Sequence, residues 1–159
     1  MIARWKALSQ RIRLEIDELE RTVSAALRHW QRARTADRDQ DAFLNSVALN
    51  LHGFYNGLER VMELIATEMD GGTLGGASWH TELLRQMTLD LPSVRPAVIS
   101  RETMQLLDEY RKFRHRVRNI YTTQLDAERM ANLVESLSAT WEQVRMELLA
   151  FADFLDHLD

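Results

Sequence analysis

The sequence predicts an all-α fold: a single-domain antiparallel helical bundle of about five helices spanning residues 1–159. Three observations carry this. Apolar residues recur at steps of three and four along nearly the whole chain, and no stretch alternates in the manner of a strand. Good helix formers (Leu, Ala, Glu, Arg, Met, Gln) dominate the composition. The helix breakers are gathered: the two prolines are Pro92 and Pro96, and four of the six glycines fall at positions 71 to 76.

The first helix is expected from about Ile2 to Arg34, on a stripe of Trp5, Leu8, Ile12, Ile16, Leu19, Val23, Leu27 and Trp30. A polar linker, Thr35 to Asp39, precedes a second helix from about Gln40 to Met69, with Phe43, Val47, Leu51, Phe54, Leu58, Met62 and Ile65 as its stripe. Asp70-Gly71-Gly72 ends it, because glycine supplies the left-handed conformation of a helix C-terminus. Ser78 is the expected N-cap of a short third helix reaching about Leu89, and Pro92 to Pro96 reads as an extended link. Ser100 offers an N-cap to a fourth helix, about 101 to 122, with Thr103 in place of Glu at the capping-box position. Asp126 starts the fifth, whose stripe is Leu133, Leu137, Trp141, Val144, Leu148, Phe151 and Leu155. Helices of this length with short connections pack as antiparallel neighbours.

The composition narrows the function classes. With 159 residues, 45% hydrophobic and 28% charged, the chain has the size and balance of one ordinary domain. It holds no cysteine, which excludes a disulfide framework, a thiolate metal site and a cysteine nucleophile. No apolar run approaches the roughly 20 residues that span a bilayer, and the amino terminus offers no apolar signal core, so a cytoplasmic location without membrane contact is expected.

Against a formal net charge of -4, residues 111–121 reverse the local sign. Arg111, Lys112, Arg114, Arg116 and Arg118 stand there with His115, Asn119 and Tyr121. Placed on a helix at about 100° per residue, Tyr110, Phe113, Val117, Ile120 and Tyr121 share a core-facing arc. Arg111, Arg114 and Arg118 occupy the next arc, beside Tyr110 and Tyr121, while Lys112 and Arg116 point furthest from the core. Three guanidiniums on one border repel one another unless an anion, a partner's carboxylates or acids elsewhere in the chain sit between them. Phosphate is the commonest such anion.

Other chemistries lack their residues. The five histidines lie far apart and Glu-x-x-His is absent, against a di-iron carboxylate bundle. Gly71-Gly72-Thr73-Leu74-Gly75-Gly76 lacks the Lys-Ser/Thr of a phosphate-binding loop and reads as a helix–helix connection. No metal or cofactor is expected. Trp79-His80 reads as a packed aromatic beside a capping imidazole. Gly53 and Gly57, four apart inside the second helix, each weaken it by about 1 kcal/mol relative to alanine. Their use is close approach of another backbone: the basic helix, a second subunit, or a neighbour within the bundle.

Three segments together resemble the HepT-like branch of the HEPN superfamily: Leu51-His52-Gly53-Phe54-Tyr55-Asn56-Gly57-Leu58-Glu59-Arg60, Trp79-His80-x-Glu82-Leu83-Leu84, and Tyr110 through Tyr121. The likeness covers about residues 40 to 155. It implies an all-α bundle that forms homodimers, a metal-independent ribonuclease in the active members, and pairing as a toxin with an MNT-type nucleotidyltransferase antitoxin that adds AMP to the motif tyrosine. The family motif runs Arg, a polar residue, three or four further residues, His, and Tyr two beyond. Arg114 matches the arginine, His115 the polar residue and Tyr121 the tyrosine, whereas Asn119 stands at the histidine position.

In the family, arginine and histidine of both subunits meet in one cleft, where the 2′-hydroxyl attacks the adjacent phosphate. That reaction needs a cation for the developing charge and a group that moves a proton near neutral pH. Arg114 can supply the charge. Asparagine does not titrate, so His115, about 40° from Asn119 in helical phase, is the expected substitute. The resemblance therefore implies an endoribonuclease toxin with Arg114, His115 and Asn119 as catalytic residues, Arg111 and Arg118 on RNA phosphate, and Tyr121 as the site of AMPylation. The alternative, prompted by Asn119, is a catalytically inactive HEPN module that binds a nucleotide or a nucleotidyltransferase partner.

Overall fold

Leu8, Ile12, Ile16, Leu19, Val23 and Ala26, at steps of three and four, form one buried edge of the first helix in the computed structural model, which describes residues 1–72, 74–118 and 127–159. The helices are α1 (Ile2–Thr35), α2 (Gln40–Met69), α3 (Trp79–Met87), α4 (Arg101–Arg118) and α5 (Ala127–Asp156). Among the described residues there is no strand, and the one isolated β-bridge joins Leu91 and Arg95. No helix is long and apolar enough among them to cross a membrane.

The bundle is antiparallel, as the cross-links between helices show. Arg4 of α1 meets Glu68 of α2 at 2.8 Å, while His29, far along α1, meets Ser46 near the start of α2. Ser9 and Arg13 of α1 bond to the last turns of α5, at Ala152, Asp153 and Asp156, whereas Trp141 donates to Glu20. Tyr110 of α4 donates to the Leu133 carbonyl of α5 at 2.8 Å. One continuous apolar core draws on all five helices, and Phe54 stands at its centre with its ring edge-on to both Tyr110 and Trp141. All seven residues expected on the α5 stripe are buried.

Two local expectations are corrected, and one left open is decided. Ser78 makes no side-chain cap bond, and α3 ends at Met87 rather than near Leu89. Residues 92 to 96 are not extended: Leu91 and Arg95 exchange backbone bonds at 2.8 and 2.9 Å around Ser93, whose φ is 67°. The cause is Arg95, whose guanidinium folds inward to Asp70 and pulls the loop closed. The glycine pair of α2 faces neither the basic helix nor open surface. A Cβ on Gly57 would lie 2.7 Å from Leu19 Cδ2, and one on Gly53 would lie 3.9 Å from Thr22 Cγ2, so both face α1. The close approach there is packing within the bundle.

Ser100 does cap α4, and the partial capping box is completed from elsewhere. Its hydroxyl accepts from the Thr103 N–H at 3.1 Å, while Glu147 of α5 accepts the Ser100 N–H at 2.8 Å. The glutamate missing at position 103 is thus supplied across the bundle, and it also accepts from the Thr103 hydroxyl. This cap fixes the start of the helix that carries the basic segment.

Candidate functional site

The amphipathic phase of α4 places its side chains as the sequence implies. Tyr110 and Phe113 are buried, Val117 is partly buried, and Lys112, His115 and Arg116 are exposed. Arg111 and Arg114 lie on the border, with 22% and 15% of their side chains exposed. Arg118 is the last residue of α4; Asn119 and Tyr121 lie outside the described residues.

The two border arginines are engaged by acids of the same chain. Arg111 Nε donates to Asp108 one turn back, at 2.7 Å. Arg114 reaches across to α2, where its Nε donates to the Asn56 side-chain oxygen and a terminal nitrogen stands 3.9 Å from Glu59 Oε1. Glu59 is 7% exposed, and its other oxygen lies 2.7 Å from His80 Nδ1 of α3. One buried carboxylate therefore joins an arginine from α4 to an imidazole from α3. Asn56, in turn, lies 3.0 Å from His52 Nδ1, one turn back on α2. The Trp79 and His80 rings are in contact, with centroids 3.7 Å apart.

A buried carboxylate is tolerated only when paired and hydrogen-bonded, and Glu59 has both kinds of partner. Its charge is felt nearby. Burial and then Glu59 raise the pKa of the Glu63 carboxyl, against the opposing pull of His80 and Arg114. The Tyr55 hydroxyl is fully buried and without a hydrogen-bond partner among the described residues. Burial, followed by the Glu59 charge, holds its pKa well above the usual phenol value, while Arg111 and Arg114 act in the opposite direction.

Sequence reasoning found Arg111 and Arg114 but not Asn56, Glu59 or Tyr55 as their neighbours, and it read His80 as a helix cap. The signal was available. Glu59 sits four residues after Tyr55 and one after Leu58, on the inward side of α2, where an uncompensated carboxylate has no place. Among the described residues no group of three or more His, Cys, Asp and Glu could hold a metal ion. The arrangement instead holds a cation in fixed orientation beside a carboxylate-bound imidazole. Such a pair suits an anionic ligand that exchanges a proton.

The all-α bundle thus carries a guanidinium and an imidazole on one polar cluster. The family model described as HepT-like protein matches residues 46–155, more than two thirds of the chain and all of the cluster just described. The chain belongs to the HepT-like family of the HEPN superfamily. No curated protein and no solved structure matches it.

Proposed function

We propose that the protein is the toxin of a toxin–antitoxin pair, a metal-independent endoribonuclease whose RNA cleft forms between two copies of the chain. The observation that carries this reading is the fixed, part-buried guanidinium of Arg114, held by Asn56 and facing Glu59, at the head of the motif segment that runs to Tyr121. In this reading Arg114 stabilises the charge that develops on phosphorus. His115 moves a proton, and Asn119 orients the hydroxyl or binds phosphate. Arg111 and Arg118 hold neighbouring phosphates. An MNT-type nucleotidyltransferase neutralises the toxin by placing AMP on Tyr121, where added bulk and negative charge exclude RNA. The supports are family membership and the preorganised cation, since a fixed charge stabilises a transition state at no reorganisation cost.

A second reading rests on Asn119, which does not titrate: an inactive module that binds a nucleotide or a nucleotidyltransferase. One experiment separates the two. Wild type and Arg114→Ala are each induced in a bacterial host, and both purified proteins are incubated with RNA in EDTA. Growth arrest and cleavage that vanish together in the variant support the ribonuclease. Healthy growth with intact RNA overturns it and leaves the binding module.

A further inference from the structure

The imidazole of His80 differs in setting from that of His115. His115 is exposed on α4, one residue beyond Arg114. His80 lies in the first turn of α3, with three quarters of its side chain covered, its ring against Trp79 and its Nδ1 2.7 Å from a buried carboxylate. A carboxylate that accepts from Nδ1–H fixes the tautomer and leaves Nε2 with its lone pair, the state of a general base. The same carboxylate faces Arg114 through its other oxygen. An anion that meets the Arg114 guanidinium is thereby brought to the neighbourhood of this ring.

We propose that His80, its Nδ1 held on Glu59, is a catalytic residue of the site built around Arg114, taking the proton of the attacking hydroxyl, and that Glu59 is its positioning residue. This rests on the ribonuclease reading above. In the step, the 2′-oxygen forms a bond to phosphorus as the bond from phosphorus to the 5′-oxygen breaks. The 2′-hydroxyl proton passes to His80 Nε2, and the departing 5′-oxygen takes a proton from the His115 imidazolium. The products are a 2′,3′-cyclic phosphate and a 5′-hydroxyl, and water returns the two histidines to their starting states. Arg114 carries the charge on the non-bridging oxygens. The charged groups facing the His80 ring include Glu59 and Glu63 from α2 and Arg114 from α4.

The test is the pH profile of kcat/KM for cleavage of a short RNA by the full chain, for wild type, His80→Asn and Glu59→Gln. Asparagine retains a donor near the Nδ1 position, so Glu59 keeps a partner. His80→Asn is expected to cut about 100-fold or more slowly and to lose the limb on which activity rises with pH, because that limb reports deprotonation of the base. Glu59→Gln removes the carboxylate that holds Nδ1, so its limb should be displaced from the wild-type position with kcat reduced and KM little changed. A purely structural role would leave the limb in place. If His80→Asn does not fold, the Glu59→Gln limb decides alone. A wild type that leaves RNA intact overturns the ribonuclease reading and any catalytic role for His80 with it. A wild type that cleaves, with an unmoved limb in the folded variants, overturns this inference only.

Discussion

Arg95 grips both oxygens of Asp70, Nε at 2.7 Å and a terminal nitrogen at 2.6 Å, with 0% and 2% of the two side chains exposed. The same guanidinium donates to the carbonyls of Gln86, Leu89 and Pro96, and Gln86 donates to Asp70. The end of α2, the end of α3 and the loop before α4 thus meet at one buried ion pair. Arg95→Met leaves Asp70 buried without its cation, and about 3–5 kcal/mol should be lost in urea denaturation. The double substitution Asp70→Leu with Arg95→Met should recover most of that loss, because neither charge then remains buried. Equal losses in the single and double variants would contradict this account.

The two glycines of α2 should respond oppositely to alanine. At Gly53 the new methyl makes an ordinary contact with Thr22, so Gly53→Ala should raise stability by about 0.5–1 kcal/mol through helix propensity. At Gly57 the methyl collides with buried Leu19, and Gly57→Ala should lower stability by about 1–3 kcal/mol. Thermal unfolding of both proteins side by side checks the contrast.

Alkaline titration should expose the cost of burying Tyr55. A folded-state pKa above the unfolded value of about 10 means that the native state keeps a proton which the unfolded chain has released. Stability present below about pH 10 is therefore lost as pH rises toward the folded pKa. Tyr110 is also shifted upward by burial and contributes in the same direction. Tyr55→Phe should flatten this decline and, by removing an unpartnered buried hydroxyl, leave neutral-pH stability unchanged or higher. Denaturation midpoints between pH 7 and 11 would show both effects.

The shared cap of α4 should be energetically coupled across the bundle. Ser100→Ala should cost about 1 kcal/mol. Glu147→Ala should cost a similar amount, although it lies 47 residues away, because it accepts the Ser100 N–H. Since both act on one helix terminus, the double variant should lose less than the sum, and a double-mutant cycle in urea measures the difference. Strict additivity would mean that Glu147 does not act through the cap.

In the ribonuclease reading, RNA binding should weaken steeply with salt, because each phosphate contact releases counterions. Arg111→Ala should make the slope of log affinity against log salt shallower by about one unit. Binding titrations of a non-cleavable 2′-deoxy oligonucleotide at several salt concentrations supply the slope, and an unchanged one would remove Arg111 from the phosphate contacts.

Helix order and most of the core stripes were legible because each rests on local periodicity, and α2 runs from Gln40 to Met69 as the sequence predicts. The border position of Arg111 and Arg114 was legible for the same reason. What closes on them was not. Asn56, Glu59 and His80 come from two other helices, and helical phase says nothing about which face of α2 turns to α4. The glycine pair's neighbour stayed open on that account, since its spacing marks a close approach without naming what approaches. Arg95 escaped notice because its partner, Asp70, is 25 residues away on the far side of α3, and the loop that carries Arg95 has no period to read.

Glu59, His80 and Arg114 sit on three separate helices, and the arginine comes last in the chain. A ribosome releases the amino-terminal helices first, and α1 can close on α2, with Leu19 over Gly57, while residue 114 is still unmade. During that interval the carboxylate has an imidazole within reach but no guanidinium. The cluster assembles only after α4 has emerged and docked. Whatever chemistry it performs, an unfinished chain cannot perform it.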